Sequence, residues 1–330
     1  MVDTRFQGNY VRRVVDDELD TLFAQLAAVL LDGPKGVGKT ATGEQRCATV
    51  RRLDAVAERT VINADPSVIA LDDPPVLIDE WHRVPSVWDA VRRLVDDDAT
   101  ASRFLMTGSA PTGGTHSGAG RIANIRMRPL CLEERGLTEP TVSFETLLTG
   151  ARPPLRGRCP LVLADYVDEI MAGGFPGLRH LHGQALIGQL DGYVQRIVDR
   201  DMPEAGLNVR RPATVLAWLR AYAAATATTA SWESIRDAAT GGTVNKPAKS
   251  TTIGYTELLK ALRILDPIDA WVPSYNHFSR LAAAPKHHLA DPALAVRLLR
   301  RTRRHLLTGD ESQILCPSME CCSATFSNHS

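Results

Sequence analysis

The sequence predicts an α/β domain with a parallel sheet, followed by a mostly helical region. Short apolar segments alternate with segments of helical periodicity up to about residue 130, a pattern typical of parallel sheets covered by helices. Helical periodicity alone prevails after about residue 160. The chain has 330 residues, 44% of them apolar and 23% charged, so two or three globular domains are expected and a chain disordered throughout is excluded.

The elements of the first region follow from the apolar pattern. An apolar run at 27–31 predicts the first strand, and helical spacing predicts a helix from 39 to about 57. A further helix is predicted over 86–97, because its apolar residues share one face. The remaining strands are predicted at 60–63, 75–78, 102–107 and 122–130.

Two stretches break this pattern. Residues 112–120 are rich in Gly, Ser and Thr and predict a mobile loop, whereas Pro, Gly and Arg dominate 150–160 and end the first domain. From Ser231 onward a helix, a polar turn, a second helix and a short β segment follow in the order of a winged helix. We predict a first α/β domain at 1–150, a helical linker at 151–210, a winged-helix-like domain at 211–300 and a tail at 301–330.

One segment carries a phosphate-binding pattern. It matches G-x-x-x-x-G-K-[ST] at every fixed position and lies between an apolar strand and a helix, which argues against a chance match in a Gly-rich turn. Glycines there let backbone N–H groups converge on phosphate oxygens. We expect Lys39 to reach the β- and γ-phosphates and the Thr40 hydroxyl to ligate Mg²⁺. The residues predicted to bind the cofactor are Gly33, Pro34, Lys35, Gly36, Val37, Gly38, Lys39 and Thr40.

Two carboxylates end the strand predicted at 75–78. Asp79 is expected to hold Mg²⁺ through water, and Glu80 to orient or deprotonate the water that attacks the γ-phosphate. An acidic pair after an apolar strand is common, but about 40 residues after a phosphate-binding loop it indicates a nucleoside triphosphate site. The expected ligands are therefore the nucleotide and Mg²⁺.

Three further residues are candidates for this chemistry. Thr107 and Ser109 end the fourth predicted strand, where a hydroxyl could bind the attacking water or could only cap the turn. Arg121 follows the predicted mobile loop and is a candidate for neutralising charge in the transition state, in this chain or toward a neighbouring subunit.

Taken together, the motifs resemble one family, the prokaryotic AAA-like P-loop ATPases. The segments that carry the resemblance, in chain order, are GPKGVGKT (33–40), VLIDEWHRVP (76–85), FLMTGSA (104–110), AGRI (119–122), RPLCLEE (128–134), GGFP (173–176), GYVQRIVDRDM (192–202) and LADPALAVRLL (289–299). In that family an ATPase domain is fused to a winged-helix region and a C-terminal nuclease-like domain.

The resemblance implies an α/β P-loop NTPase with the P-loop strand near the centre of its sheet, followed by a mostly helical domain that contains a winged helix. It also implies ATP as the nucleotide, Glu80 as the catalytic carboxylate and Thr107 or Ser109 as a sensor. His82 departs from the family, which has Gln at this position. The tail departs as well: its low-pattern, Cys-rich end leads us to expect a frameshift that truncated a longer protein.

The charge balance limits the other partners. With 38 basic and 38 acidic residues, no global field draws the chain to nucleic acid, so DNA contact would be local. The predicted winged helix has basic residues that could contact DNA phosphates, at Arg236, Lys246, Lys249, Lys260 and Arg263. Acidic residues nearby reduce the positive charge of this patch. The basic run RRTRRH at 300–305 is interpreted as a solvated helix end.

Neither a signal peptide nor a membrane-spanning apolar run is present, so a cytoplasmic location without membrane contact is expected. An oligomer is compatible with the sequence.

Three functional hypotheses remain open from the sequence. The first is an Mg²⁺-dependent ATPase of the AAA-like class. The second is a nucleotide-dependent regulator that binds DNA or a partner protein with little turnover. The third is a truncated, non-functional remnant.

Overall fold

Five parallel strands form the sheet of the N-terminal part. The structure is a computed structural model that describes residues 10–109, 118–138, 141–154, 156–207, 209, 211–240, 248–271 and 283–308. Its strands are β1 (Ala28–Asp32), β2 (Thr49–Arg52), β3 (Val76–Asp79), β4 (Phe104–Gly108) and β5 (Ile122–Arg126). They lie in the order β2-β3-β4-β1-β5, and each neighbouring pair is parallel. The predicted parallel sheet is confirmed, and β1 lies inside it, between β4 and β5.

Helices cover both faces of this sheet. Because side chains alternate across a strand, Leu77 and Leu105 face one core cluster, whereas Ile78 and Met106 face the other. Burial on both faces explains why the central strands read as continuous apolar runs. The helices of this part are α1 (Val15–Phe23), α2 (Lys39–Glu44), α3 (Val56–Ala64) and α4 (Ser86–Asp97).

Two sequence-based assignments in this part are wrong. The helix predicted to run to about 57 ends at Glu44, and the second strand is β2 rather than 60–63, which lies within α3. β2 is an edge strand whose Arg51 pairs with Asp72 and Glu58. Charged side chains are usual on edge strands, so β2 lacks the apolar pattern that identifies a central strand.

The C-terminal part is helical, as predicted. Its first helices are α5 (Phe144–Leu148), α6 (Leu163–Ala172) and α7 (Gly183–Arg196), and α7 continues through a π-helical turn, Ile197–Asp201, into α8 (Met202–Glu204). Then come α9 (Pro212–Ala224), α10 (Trp232–Ala238), α11 (Lys249–Ala261), α12 (Pro292–Leu298) and α13 (Arg303–Thr308).

The segment predicted as a winged helix contains α10, α11 and two isolated antiparallel bridges. The bridges join Leu265 to Leu289 and Ile268 to Lys286. The turn at 241–247, with Lys246, lies outside the described residues, as do residues 112–117 of the predicted loop and 309–330 of the predicted tail. The winged helix therefore stays a prediction.

A buried carboxylate joins two of the segments that carry the family resemblance. Asp291 Oδ2 accepts a hydrogen bond from Gly174 N at 2.5 Å, and its Oδ1 caps α12 by accepting from Ala293 N at 2.8 Å. Gly173 has φ 71°, and a Cβ there would lie 2.6 Å from Asp291 Oδ1. The GGFP segment thus needs glycine for both backbone conformation and space.

The described residues separate into two compact units, one up to Arg128 and one from Pro129 onward. Among the described residues, no helix is long and apolar enough to cross a membrane.

Candidate functional site

The loop between β1 and α2 is built around glycine. Gly36 and Gly38 have φ angles of 77° and 106°, in the region that side chains disfavour. A Cβ at Gly33 would lie 2.4 Å from the Met127 carbonyl oxygen, which is incompatible with the backbone packing there. The G-x-x-x-x-G spacing is therefore required by the turn itself, within a loop whose N–H groups are suited to anions.

Lys39 is folded back into this loop. Its Nζ donates hydrogen bonds to the carbonyl oxygens of Gly33 at 2.8 Å and Pro34 at 2.9 Å, and the residue is only 5% exposed. Burial lowers the pKa of Lys39 to about 8, although the charges of Glu80, Asp32 and Asp79 oppose this shift. The ammonium is thus desolvated and held by neutral carbonyl groups of the loop.

Three polar side chains meet at the carboxyl ends of β3 and β4 and the start of α2. Thr40 Oγ1 donates a hydrogen bond to Asp79 Oδ1 at 2.8 Å, and Thr107 Oγ1 donates to the same oxygen. The Glu80 N–H approaches Thr107 Oγ1 at 3.4 Å. Sheet order explains this meeting, because β4 lies between β1 and β3 and brings Thr107 between the loop and the acidic pair.

Glu80 occupies an unfavourable backbone conformation. Its φ and ψ are 56° and 42°, a left-handed conformation that costs a residue with a side chain roughly 1–2 kcal/mol. Burial raises the pKa of the Glu80 carboxyl, and Asp79 adds to this effect while Lys39 opposes it. His82 Nε2 lies 3.4 Å from Glu80 Oε2. A strained, partly desolvated carboxylate beside a lysine is typical of functional sites.

The remaining sequence candidates lie in different places. Ser109 is 1% exposed, and its hydroxyl has no hydrogen-bond partner among the described residues. Arg121 precedes β5 at the amino edge of the sheet, whereas the loop lies at the carboxyl edge, about 13 Å further along at ~3.3 Å per residue. Its Nε donates to Asp96 Oδ1 at 2.6 Å. The structure does not bring Arg121 to the candidate site of its own chain, and a role toward a neighbouring subunit stays a prediction.

Sequence reasoning missed a brace on the P-loop. Arg13 is 5% exposed and donates to the carbonyl oxygens of Val37 at 2.9 Å and Arg128 at 2.6 Å. Tyr10 donates to Asp16 at 2.7 Å, and its oxygen lies 3.1 Å from Thr42 Oγ1 on α2. The mixture of apolar and charged residues ahead of β1 does not indicate which residues Tyr10 and Arg13 contact.

The donor set at this site is suitable for Mg²⁺. Thr40 and Asp79 present a hydroxyl and a carboxylate to one point, and hard oxygen ligands of this kind, completed by water and phosphate, are what Mg²⁺ prefers. Elsewhere in the described residues, no cluster of three or more His, Cys, Asp or Glu side chains could hold a metal ion.

Fold and site together define an α/β P-loop NTPase followed by a helical region. Comparison with family models agrees with this class: residues 25–135 match the model described as "AAA domain", a range that includes the loop, Asp79, Glu80 and Thr107. Residues 163–305 match a model described as "Domain of unknown function (DUF8612)". An AAA-type, P-loop ATPase-like protein is therefore supported, while the winged helix and the truncation of the family's nuclease-like domain stay predictions.

Individual relatives are more distant. The chain is 26% identical over 199 residues to an uncharacterized protein of Mycobacterium tuberculosis (strain ATCC 25618 / H37Rv), and equally to one of Mycobacterium bovis (strain ATCC BAA-935 / AF2122/97). The match covers 58% of this chain and 39% of each relative, so the chain spans about two fifths of their length.

Two solved structures are similar at low identity. The Walker-type ATPase PABY2304 of Pyrococcus abyssi has a TM-score of 0.49 at 14% identity, covering 88% of this chain and 97% of that chain. The Aeropyrum pernix ORC2 protein, solved as ADPNP-ADP complexes, has a TM-score of 0.38 at 15% identity, covering 99% of both chains.

Proposed function

We propose that this protein is an Mg²⁺-dependent ATPase of the AAA-like class. The backbone N–H groups of the loop 33–38, which Pro34 lacks, and the Lys39 ammonium bind the β- and γ-phosphates, and Thr40 and Asp79 hold Mg²⁺. When bound, Mg²⁺ supplies neutralisation of phosphate charge. ATP rather than another nucleotide is implied by the family resemblance.

Glu80 acts on the water that attacks the γ-phosphate. Its carboxylate accepts a proton from a water aligned with the γ-phosphate, or orients that water without taking the proton. The raised pKa of Glu80 favours this role, since a base is most effective when its pKa is near the working pH. Thr107 is assigned to positioning, because its hydroxyl contacts both Asp79 and the Glu80 backbone.

One observation carries the proposal. The P-loop and the acidic pair come from two different segments and meet at one edge of the sheet, where Thr40 Oγ1 donates to Asp79 Oδ1 at 2.8 Å next to the buried Lys39. A chance glycine-rich turn would not require this second segment. A structural ion pair is also disfavoured, because Lys39 bonds to loop carbonyls rather than to either carboxylate.

The decisive experiment compares ATP binding with ATP turnover in purified protein. Lys39→Ala is expected to remove binding, and Glu80→Gln to retain binding and lower turnover by about 10²–10⁴-fold, the usual contribution of a general base. Glu58→Gln on α3 is the matched control and should leave both unchanged. Hydrolysis retained in both site variants would refute the proposal.

A nucleotide-dependent regulator is the second candidate. It is favoured by the order of α10, α11 and the two antiparallel bridges, and by Arg236, Lys249 and Lys260, which line one cavity along these helices. Glu233 and Glu257 line the same cavity and reduce its positive charge.

The regulator makes a different prediction for the same protein. It requires tight ATP binding with negligible turnover, and retention of DNA that weakens steeply as salt increases. Turnover that DNA does not alter, together with no DNA retention at low salt, would exclude nucleic acid as its target.

A further inference from the structure

A cavity of about 450 Å³ lies in the helical unit among α7, α9 and the end of α12. Four arginines and one carboxylate line it, and we call this set the arginine pocket: Asp191, Arg220, Arg297, Arg300 and Arg301. Apolar side chains, including Val194, Leu216 and Leu298, form part of the same lining.

The arginine pocket has a large excess of positive charge. Arg297 is neutralised by Asp191, to which its Nε and Nη2 donate at 2.9 and 2.8 Å. Arg220, Arg300 and Arg301 line the same cavity, in a chain whose basic and acidic residues are equal in number. Within the described part of the chain, neither Arg220 nor Arg300 makes an ion pair or a side-chain hydrogen bond.

Arg300 occupies a position that normally belongs to glycine. Its φ is 53°, and it closes α12 in a Schellman motif: Arg300 N donates to Arg297 O at 3.0 Å and Arg301 N to Val296 O at 2.9 Å. A left-handed residue with a side chain is less stable here than glycine. Replacing Arg300 with Gly would therefore remove the guanidinium and keep the turn.

We propose that the arginine pocket binds the phosphate group of a small phosphomonoester of about nucleotide size. Guanidinium groups match phosphate oxygens with paired hydrogen bonds, and phosphate carries enough charge to balance several of them. The cavity volume is within the ~300–1,000 Å³ of small-molecule sites, and the apolar lining suits the rest of such a ligand. A single concave pocket favours this ligand over nucleic acid, which requires an extended basic surface. Arg300 and Arg301 of the basic run are thus assigned to a binding site, whereas residues 303–305 are exposed at the start of α13, as expected of a solvated helix end.

The test uses inorganic phosphate and AMP as probes, titrated calorimetrically into the full chain. Lys39→Ala serves as the background, so that the P-loop does not contribute. Arg300→Gly is the decisive variant, because glycine preserves the Schellman turn while removing the guanidinium. We expect AMP affinity to fall about 10- to 100-fold, the usual effect of losing a charge-assisted hydrogen bond, and thermal stability to stay equal or rise.

Arg263→Gly is the matched control. Arg263 closes α11 in the same motif, with φ 59° and the bonds Arg263 N to Lys260 O and Ile264 N to Leu259 O, both at 2.9 Å. It does not line the arginine pocket. Both variants lose one arginine from the same kind of turn, so only Arg300→Gly should weaken AMP binding. Arg220→Gln, on a different helix, should weaken it as well.

Three results would overturn the proposal. One is the absence of phosphate and AMP binding at millimolar concentration in the Lys39→Ala background. Another is equal loss of affinity in Arg300→Gly and Arg263→Gly, which would indicate a general charge effect. The third is a single-stranded oligonucleotide that binds more tightly than AMP and is released by Arg300→Gly, which would assign the pocket to nucleic acid.

Discussion

Arg13 donates a hydrogen bond from Nη1 to the carbonyl oxygen of Val37 at 2.9 Å. This contact ties a residue that precedes α1 to the middle of the phosphate-binding loop. The other end of the guanidinium donates to Arg128 O at 2.6 Å, just beyond β5. One buried side chain therefore holds the loop against the segment that follows the neighbouring strand.

Replacing Arg13 with Ala should lower both stability and ATP affinity. Two charge-assisted hydrogen bonds to buried carbonyl groups are lost, so the free energy of unfolding should fall on the order of 3 kcal/mol. Urea unfolding and ATP titration measure the two effects. The control is Arg12→Ala, because the Arg12 side chain is exposed and its ion pairs among the described residues are with Asp17 and Asp20. Equal losses in both variants would show that Arg13 is not a specific brace.

ATP affinity should depend on pH above about 8. Unliganded Lys39 has a pKa of about 8, and a bound triphosphate favours its charged form, so binding takes up a proton once the pH exceeds this value. Affinity should therefore be unaffected by this group below about pH 7 and weaken up to tenfold per pH unit above 8. Lys39→Arg should remove this dependence, because guanidinium stays protonated. Wild-type affinity that is constant from about pH 7 to 9.5 would contradict the assignment.

The strained backbone at Glu80 should lower the free energy of unfolding, and replacing Glu80 with glycine should relieve this strain. With φ at 56°, Glu80→Gly should unfold at higher urea than Glu80→Ala, by about 1 kcal/mol, although both lack the carboxylate needed for turnover. The matched pair is Glu58→Gly and Glu58→Ala in the first turn of α3, where the order should reverse because glycine is a poorer helix former than alanine. The same order at both positions would mean that strain at Glu80 does not affect stability.

Asp291 should be more important for stability than an ordinary helix cap. Asp291→Ala removes the cap of α12 and leaves the Gly174 N–H buried without its acceptor, so a loss of about 2–5 kcal/mol is expected. Ser231 is the matched cap on the surface: its Oγ accepts from Ser234 N at 3.0 Å and lies 2.8 Å from Ser234 Oγ. Ser231→Ala should cost about 1 kcal/mol. Thermal denaturation measures the loss of stability in each variant. Equal losses would show that the contact between Asp291 and the Gly174 N–H does not stabilise the protein.

Local spacing made the phosphate site predictable. Residues 33–40 are consecutive, and their turn depends on glycines whose spacing is visible in the sequence. Asp79 and Glu80 follow a buried strand whose apolar run is equally local. By contrast, the apolar pattern does not predict β2, because an edge strand can carry arginines. It predicts a strand at 60–63, which lies in α3, because β-branched residues also occur in helices.

Distant contacts were beyond sequence reasoning. Arg13 finds its partners 24 and 115 residues away, and no spacing rule connects them. Arg121 follows the predicted loop in sequence, yet the parallel register of β1 and β5, with Ala28 opposite Ile122, places it at the edge of the sheet away from the P-loop. Likewise, the sequence does not show that Arg300 and Arg301 of the basic run line a cavity to which α7 and α9 also contribute.

The sequence by itself determined the α/β class, the phosphate-binding loop and the acidic pair, because each depends on residues that are neighbours in the chain. Only the tertiary structure decided that Thr107 contacts both Asp79 and the Glu80 backbone, that Arg13 braces the loop, and that four arginines share one cavity. The reason is physical: hydrogen bonds and charges act through space, and strand order and helix packing set which distant residues meet.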